Sequence, residues 1–146
     1  MGKTTIWQRH KRCSEGVVCM TPSQATYRHA LFVVGRIVDT YDHLPDGNAK
    51  YPFAYIGESM NTNTMNSDLL GTVLQSIHLY GTLSQRNQLD TYSRLIHDRL
   101  MTQSPQHNYH LKVTNYMQRN LQDNSTAQPL IHIVIDVDFL YTKKER

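Results

Sequence analysis

Eight histidines, 12 acidic side chains and two cysteines are the residues of this 146-residue chain with chemical potential. Their spacing decides what that chemistry would be. Asp42-His43 has the types of an acid–base pair, but neighbouring side chains of an extended segment point opposite ways and no nucleophile lies near. The pair therefore reads as part of the turn Asp42-His43-Leu44-Pro45-Asp46-Gly47-Asn48. His107 and His110 stand three apart at a loop-to-strand junction with no carboxylate or thiolate to complete a ligand set. His78 has no second histidine at i+2 and reads as a sheet-surface side chain. Cys13 and Cys19 form no CxxC, and a structural zinc needs four ligands, so they read as free thiols of a reducing compartment. Gly2-Lys3-Thr4-Thr5 resembles the end of a phosphate-binding loop but lacks the upstream glycine and the preceding strand. The sequon Asn124-Ser125-Thr126 matters only in a secreted eukaryotic protein. No nucleophile–base pair, carboxylate pair or metal spacing remains. The expectation is a protein that is not an enzyme, with no catalytic, metal-binding or cofactor-binding residue.

Charge placement narrows the class. Residues 1–19 hold Lys3, Arg9, Lys11 and Arg12 against Glu15, which is the whole net charge of +3. The remaining residues carry 11 basic and 11 acidic side chains. A neutral body argues against an electrostatic nucleic-acid binder, whose basic side chains gather on a face of the fold. It also suits a subunit of an assembly, since neutral bodies are prone to associate. No apolar run approaches ~18 residues, and the basic N-terminus lacks an apolar segment behind it. Neither a membrane span nor a secretory signal is expected. Residues 1–19, with the only Trp (Trp7), read as a basic N-terminal extension. Residues 20–146 read as a single domain, and Met20 before Thr21-Pro22-Ser23 has the look of a natural start.

The elements follow from periodicity. Tyr27, Ala30, Leu31, Val34, Ile37, Val38 and Tyr41 form one apolar stripe, predicting a helix over 23–41 with Ser23 as N-cap and Gly35 as a weak point. Phe53–Ser59 and Thr72–Tyr80 are strand-like and flank a polar arm, residues 60–70. A second helix is predicted over 84–102, capped by Ser84, with Asp90 and Arg94 paired at i,i+4. Tyr109–Leu121 and Leu130–Tyr141 close the chain as strands. The first would show Leu111, Val113 and Met117 on one face and Lys112, Thr114, Tyr116 and Gln118 on the other. The second points Ile131, Ile133, Ile135, Val137 and Phe139 inward and His132, Asp136 and Asp138 outward. The expected fold is α+β: a four-stranded, mainly antiparallel sheet with two helices on one face, in the order α-β-β-α-β-β.

Four phrases in this order resemble a known family: YDHLPDG at 41–47, YPFAYIGES at 51–59, SIHLYG at 76–81 and DNSTAQPLIH at 123–132. The resemblance covers about residues 23–141 and is to the tail terminator family of long-tailed bacteriophages, also called tail-completion or tail-to-head joining proteins. It is closest to those of phages of Gram-positive bacteria. The family often has Trp where Tyr80 stands. The resemblance implies a virion protein, assembled in the bacterial cytoplasm, that forms a homo-hexameric ring on the head-proximal end of the tail tube. The ring would stop tube growth, contact the tail tube protein and the neck or head-closure protein, and surround the channel through which DNA passes unbound. The family carries no catalytic residue or cofactor. On that reading Met60, Asn61, Asn63, Met65, Asn66 and Asp68 of the arm are candidates for the subunit or tube interface. Asp136 and Asp138 are candidates for the channel wall, where a basic lining would hold phosphates. The alternatives are a head-closure or neck connector of the same junction, and a small nucleic-acid-binding protein using the basic 1–19 arm.

Overall fold

The computed structural model describes residues 20–46, 49–63, 70–102, 104–106 and 109–144, with the backbone alone at 63 and 104–106. The Met20 side of the domain opens with helix α1, Pro22–Gly35. Its cap is Thr21 rather than Ser23. The Gln24 amide donates to Thr21 Oγ1 at 3.1 Å and the Thr21 amide to Gln24 Oε1 at 2.9 Å, a reciprocal capping box with Pro at the first helical position, where no donor is missed. The helix stops at Gly35, six residues short of the predicted Tyr41. The apolar residues beyond it are buried in another way. The Val38 amide returns to the Val34 carbonyl at 3.0 Å, Val38 is buried, and Thr40–Tyr41 run as a short strand, β1. Three- and four-residue spacing across a helix end is indistinguishable in sequence from the same spacing along a helix.

The other strands are β2 (Phe53–Asn63), β3 (Leu70–Thr82), β4 (Ser104–Gln106), β5 (Tyr109–Asp123) and β6 (Leu130–Lys143). Between β3 and β4 lies helix α2, Arg86–Leu100. The sheet order is β1-β2-β3-β6-β5-β4, six strands rather than four, and mixed, because β1 runs parallel to β2 while every other pair is antiparallel. The class is α+β with two helices on one face, as expected. Two short edge strands were not foreseen, because two or three residues carry no periodicity. The predicted arm shrinks as well. β2 and β3 stay paired out to Asn63 and Gly71, so residues 60–63 are strand, and only 64–69 lie outside the described residues.

One face of the sheet holds the core. Ala54, Ile56, Val73, Ile77, Leu79, Ile131, Ile133, Ile135, Val137, Phe139 and Tyr141 pack in one cluster with Ala25, Ala30, Val33 and Val34 of α1 and Leu89, Ile96 and Leu100 of α2. The inward set of β6 is the set read from its alternation. α2 begins through a short turn at Leu83–Gln85, where the Thr82 amide donates to Gln85 Oε1 at 2.9 Å; Ser84 is not the cap. Gly81 lets this turn close, since a Cβ there would stand 2.8 Å from Leu89 Cδ1. On the helix surface Arg94 pairs forward with Asp98 at 3.3 Å, not back with Asp90.

Two β-bulges set which side chains face which way. One lies between Val113 and Asn115 of β5. It inverts the alternation, so Tyr116 shares the helix face with Val113 while Met117 turns to the other face, the reverse of the simple reading. Tyr116 reaches α2, its hydroxyl donating to the Ser93 carbonyl at 3.3 Å. The second bulge lies between Ile56 and Ser59 of β2. Gln75, fully buried, satisfies it. Its amide nitrogen donates to the carbonyls of Gly57 (2.9 Å), Glu58 (3.2 Å) and Ser76 (3.1 Å). Gln75→Met keeps the volume and removes the donors, leaving carbonyls unpaired. It is expected to cost about 2 kcal/mol, measured as a fall in the urea midpoint at unchanged m-value.

Candidate functional site

The face of the sheet away from the helices is where the remaining unusual side chains collect. Cross-strand pairing places Phe53, Tyr80, His132 and Leu121 in one row and Tyr55, His78, Val134 and Arg119 in the next. Adjacent strands stand ~4.8 Å apart, so rings in neighbouring positions must stack or clash. They stack. Ring centroids lie 4.5 Å apart for Tyr55–His78, 4.2 Å for Tyr80–His132, 5.3 Å for Phe53–Tyr80 and 5.3 Å for Tyr51–Phe53. Tyr41 of β1 closes edge-on against Phe53 at 5.9 Å. Phe53, Tyr80 and Leu130 form a small buried cluster, with Tyr41, Tyr51 and Tyr55 packed against it, although no described helix covers them.

Two histidines meet inside this ladder. His78 Nδ1 lies 2.8 Å from His132 Nε2, and His78 Nε2 faces Glu58 Oε1 at 3.5 Å. One ring must donate and the other accept, so the pair cannot hold two protonated rings without opposing N–H groups. Burial first, and then the neighbouring His78, pull the His132 pKa below its ordinary value. The Glu58 carboxyl is lowered by its own backbone N–H and by the His78 ring. Burial pushes the Tyr80 hydroxyl up to about 12, so it is protonated at neutral pH. Gly57 allows His78 its place, since a Cβ there would stand 2.8 Å from the His78 ring. Sequence reasoning gave His78 and His132 separate outward positions but not their contact. The signal was present in their matching outward parity; the missing information was that β3 lies beside β6.

Asp136 and Asp138 both lie on this face, in rows with Ser76 and Leu74. Asp136 is tied down: the Ser76 hydroxyl donates to it at 2.6 Å and Arg119 approaches at 3.6 Å. Both carboxylates are partly exposed. Of the interface candidates, Met60 and Asn61 are exposed on β2 and Asn63 is its last residue; Met65, Asn66 and Asp68 lie outside the described residues. Asp42 and His43 do contact, Nδ1 to Oδ1 at 2.5 Å, because the chain bends there instead of running extended; both are exposed to solvent. His107 lies outside the described residues and His110 is exposed on β5. The extension 1–19 with both cysteines and Gly2 to Thr5 also lies outside them. Among the described residues no group of three or more His, Cys, Asp or Glu side chains is placed to hold a metal ion, and no helix is long and apolar enough to cross a membrane.

β5 is the feature the sequence concealed. From Met117 to Gln122 every side chain is exposed, on both faces of the strand. β4 pairs only with Tyr109–Leu111, so among the described residues nothing pairs with the outer edge from Lys112 to Asp123. β2 is its counterpart on the other side. β1 covers only Ala54 and Tyr55, and Glu58 to Thr62 are all exposed. Among the described residues the sheet therefore ends in two long open edges. No family model matches the chain, and no curated protein matches it.

Two histidines with lowered pKa predict a pH response. His132 and the buried His29, whose pKa burial also lowers, are neutral in the fold and protonate more readily when unfolded. Their contribution to stability is complete above the ordinary histidine pKa of ~6.5 and is lost as pH falls through the lower folded values. The urea midpoint is expected to drop between pH 7.5 and pH 5, and His132→Gln should flatten that slope. An unchanged slope in the variant would remove His132 from the account.

Proposed function

We propose that the chain is a ring-forming structural subunit that caps the head-proximal end of a phage tail tube and joins it to the neck. The observation that carries this reading is the sheet with helices on one face only. Among the described residues the other face is open, and both lateral edges are long and exposed. Isolated domains shorten or cover such edges, because they template association. Here β1 and β4 guard only one end of each. A protein whose exposed features are edges and faces is equipped for contact with other chains, and the neutral body removes a barrier to their approach. The resemblance across residues 23–141 supplies the identity of those chains: further copies, the tail tube protein and a neck protein.

On this reading the open face lines the channel, with Asp138 among its acidic side chains and Asp136 balanced by Arg119. Purified protein added to polymerising tail tube protein is expected to cap tube ends and limit their length. Replacing residues 64–70 with a two-residue Asn-Gly turn, so that the paired Asn63 and Gly71 flank it directly, should leave the melting curve in place and abolish capping. Persistent capping would show that the tip of the hairpin is not a contact. Asp138→Lys is the better lumen probe, because Asp136→Lys would also set a lysine against Arg119. Asp138→Lys particles are expected to eject DNA more slowly. Ejection at the wild-type rate would take Asp138 out of the channel wall.

A further inference from the structure

We infer that copies of this chain join by β-sheet continuation, the β5 edge of one copy pairing antiparallel with the β2 edge of the next. The partner follows from strand polarity. In the order β2-β3-β6-β5 directions alternate over an even number of strands, so the two outer strands of the set point opposite ways. A neighbour related by rotation about a ring axis then presents β2 antiparallel to β5 without inverting the molecule. Such a contact joins two different surfaces and repeats head to tail.

The guard strands fix the register. Carried straight across the sheet, the row of Tyr55 meets Arg119. A flush neighbour would drive its β1, which lies beside Ala54 and Tyr55, into the Arg119–Asp123 end of β5. Sliding the neighbour by about five residues clears this clash and sets Glu58–Thr62 against Met117–Leu121. Every side chain on these two stretches is exposed in the single subunit. The pairs that result agree in face and in chemistry. Asn61 meets Gln118 and Ser59 meets Asn120 on the helix side, a run of amides and a hydroxyl that can bond across strands. Met60 meets the aliphatic stem of Arg119, and Thr62 meets Met117, on the open side. Glu58 lies one pair along from Arg119 on that same side, an opposite charge at diagonal reach.

The same slide gives a closed shape. About five residues at ~3.3 Å each, over four strands ~4.8 Å apart, tilt the strands by about 40° to the ring axis, within the 35–45° of closed barrels. This value does not depend on the number of copies. The inference deepens the ring reading and rests on it for closure; the edge contact itself rests on the strands alone.

Disulfide trapping tests it. Cys13 and Cys19 are replaced by Ser, and Asn61→Cys is combined with Gln118→Cys. Within one chain these positions are three strand spacings apart, roughly 14 Å, and also several residues apart along the strands, beyond disulfide reach, so any bond links two molecules. Melting curves under reducing conditions confirm that each variant folds, and Met60→Cys with Arg119→Cys serves as an independent pair. Oxidation is expected to give a ladder that ends in one closed species. Absence of a ladder in both pairs would overturn the inference, whether the edges meet something else or residues 1–19 of the same chain occupy one of them. Trapping only through Thr62→Cys with Lys112→Cys, the flush rows, would overturn the register. A ladder with bare tube ends would leave the edge contact standing and sink the tail reading; capped tubes without a ladder would do the reverse.

Discussion

A sheet covered by helices on one face has to deal with its other face and its edges, and most of this molecule follows from that constraint. Two helices of 14 and 15 residues cover the inward side of β2, β3 and β6, where alternating aliphatic residues meet them. Nothing comparable lies over the opposite side among the described residues. The chain closes part of that side with its own rings, stacking Tyr51, Phe53, Tyr55, His78, Tyr80 and His132 across three strands. Each ring shields its neighbours, so apolar area leaves water without a second layer. The histidines are the polar members of the ladder, and their mutual hydrogen bond ties β3 to β6 within it.

Local devices serve the same constraint. The bulge in β2 bends that strand at Gly57 and Glu58, and Gln75 supplies the donors that the ladder cannot. The bulge in β5 turns Tyr116 inward to touch α2 and turns Met117 outward. Past it, β5 is exposed on both faces up to Gln122. Six successive exposed strand residues, Met117 to Gln122, gain little from the fold of one chain. On the proposed edge contact, a neighbouring chain would gain from them.

What the sequence made legible divides along physical lines. Elements with a sustained period were readable: the four long strands, both helices, the inward set of β6 and the outward positions of Asp136 and His132. The end of α1 was not, because Ile37, Val38 and Tyr41 keep helical spacing while packing as a turn and an edge strand. Bulges were not, because one extra residue leaves no mark in composition and inverts every side chain after it, as with Tyr116 and Met117. The His78–His132 contact depended on strand order, which local sequence does not contain. Of the arm read at 60–70, residues 60–63 and 70 are strand and 64–69 lie outside the described residues: polar Asn61 and Thr62 looked like a loop because their side chains meet solvent, which is also how a sheet edge looks.

The central claim is that the open edges of β2 and β5 are completed by other copies of the chain. Amide hydrogen exchange, followed at low and at high protein concentration, reads those backbone groups directly. The account predicts that amides of Glu58–Thr62 and Met117–Gln122 become protected together as concentration rises, while the core amides of β3 and β6 stay as slow as before. Equal and rapid exchange of both edges at every concentration, in protein that is otherwise folded, would contradict it.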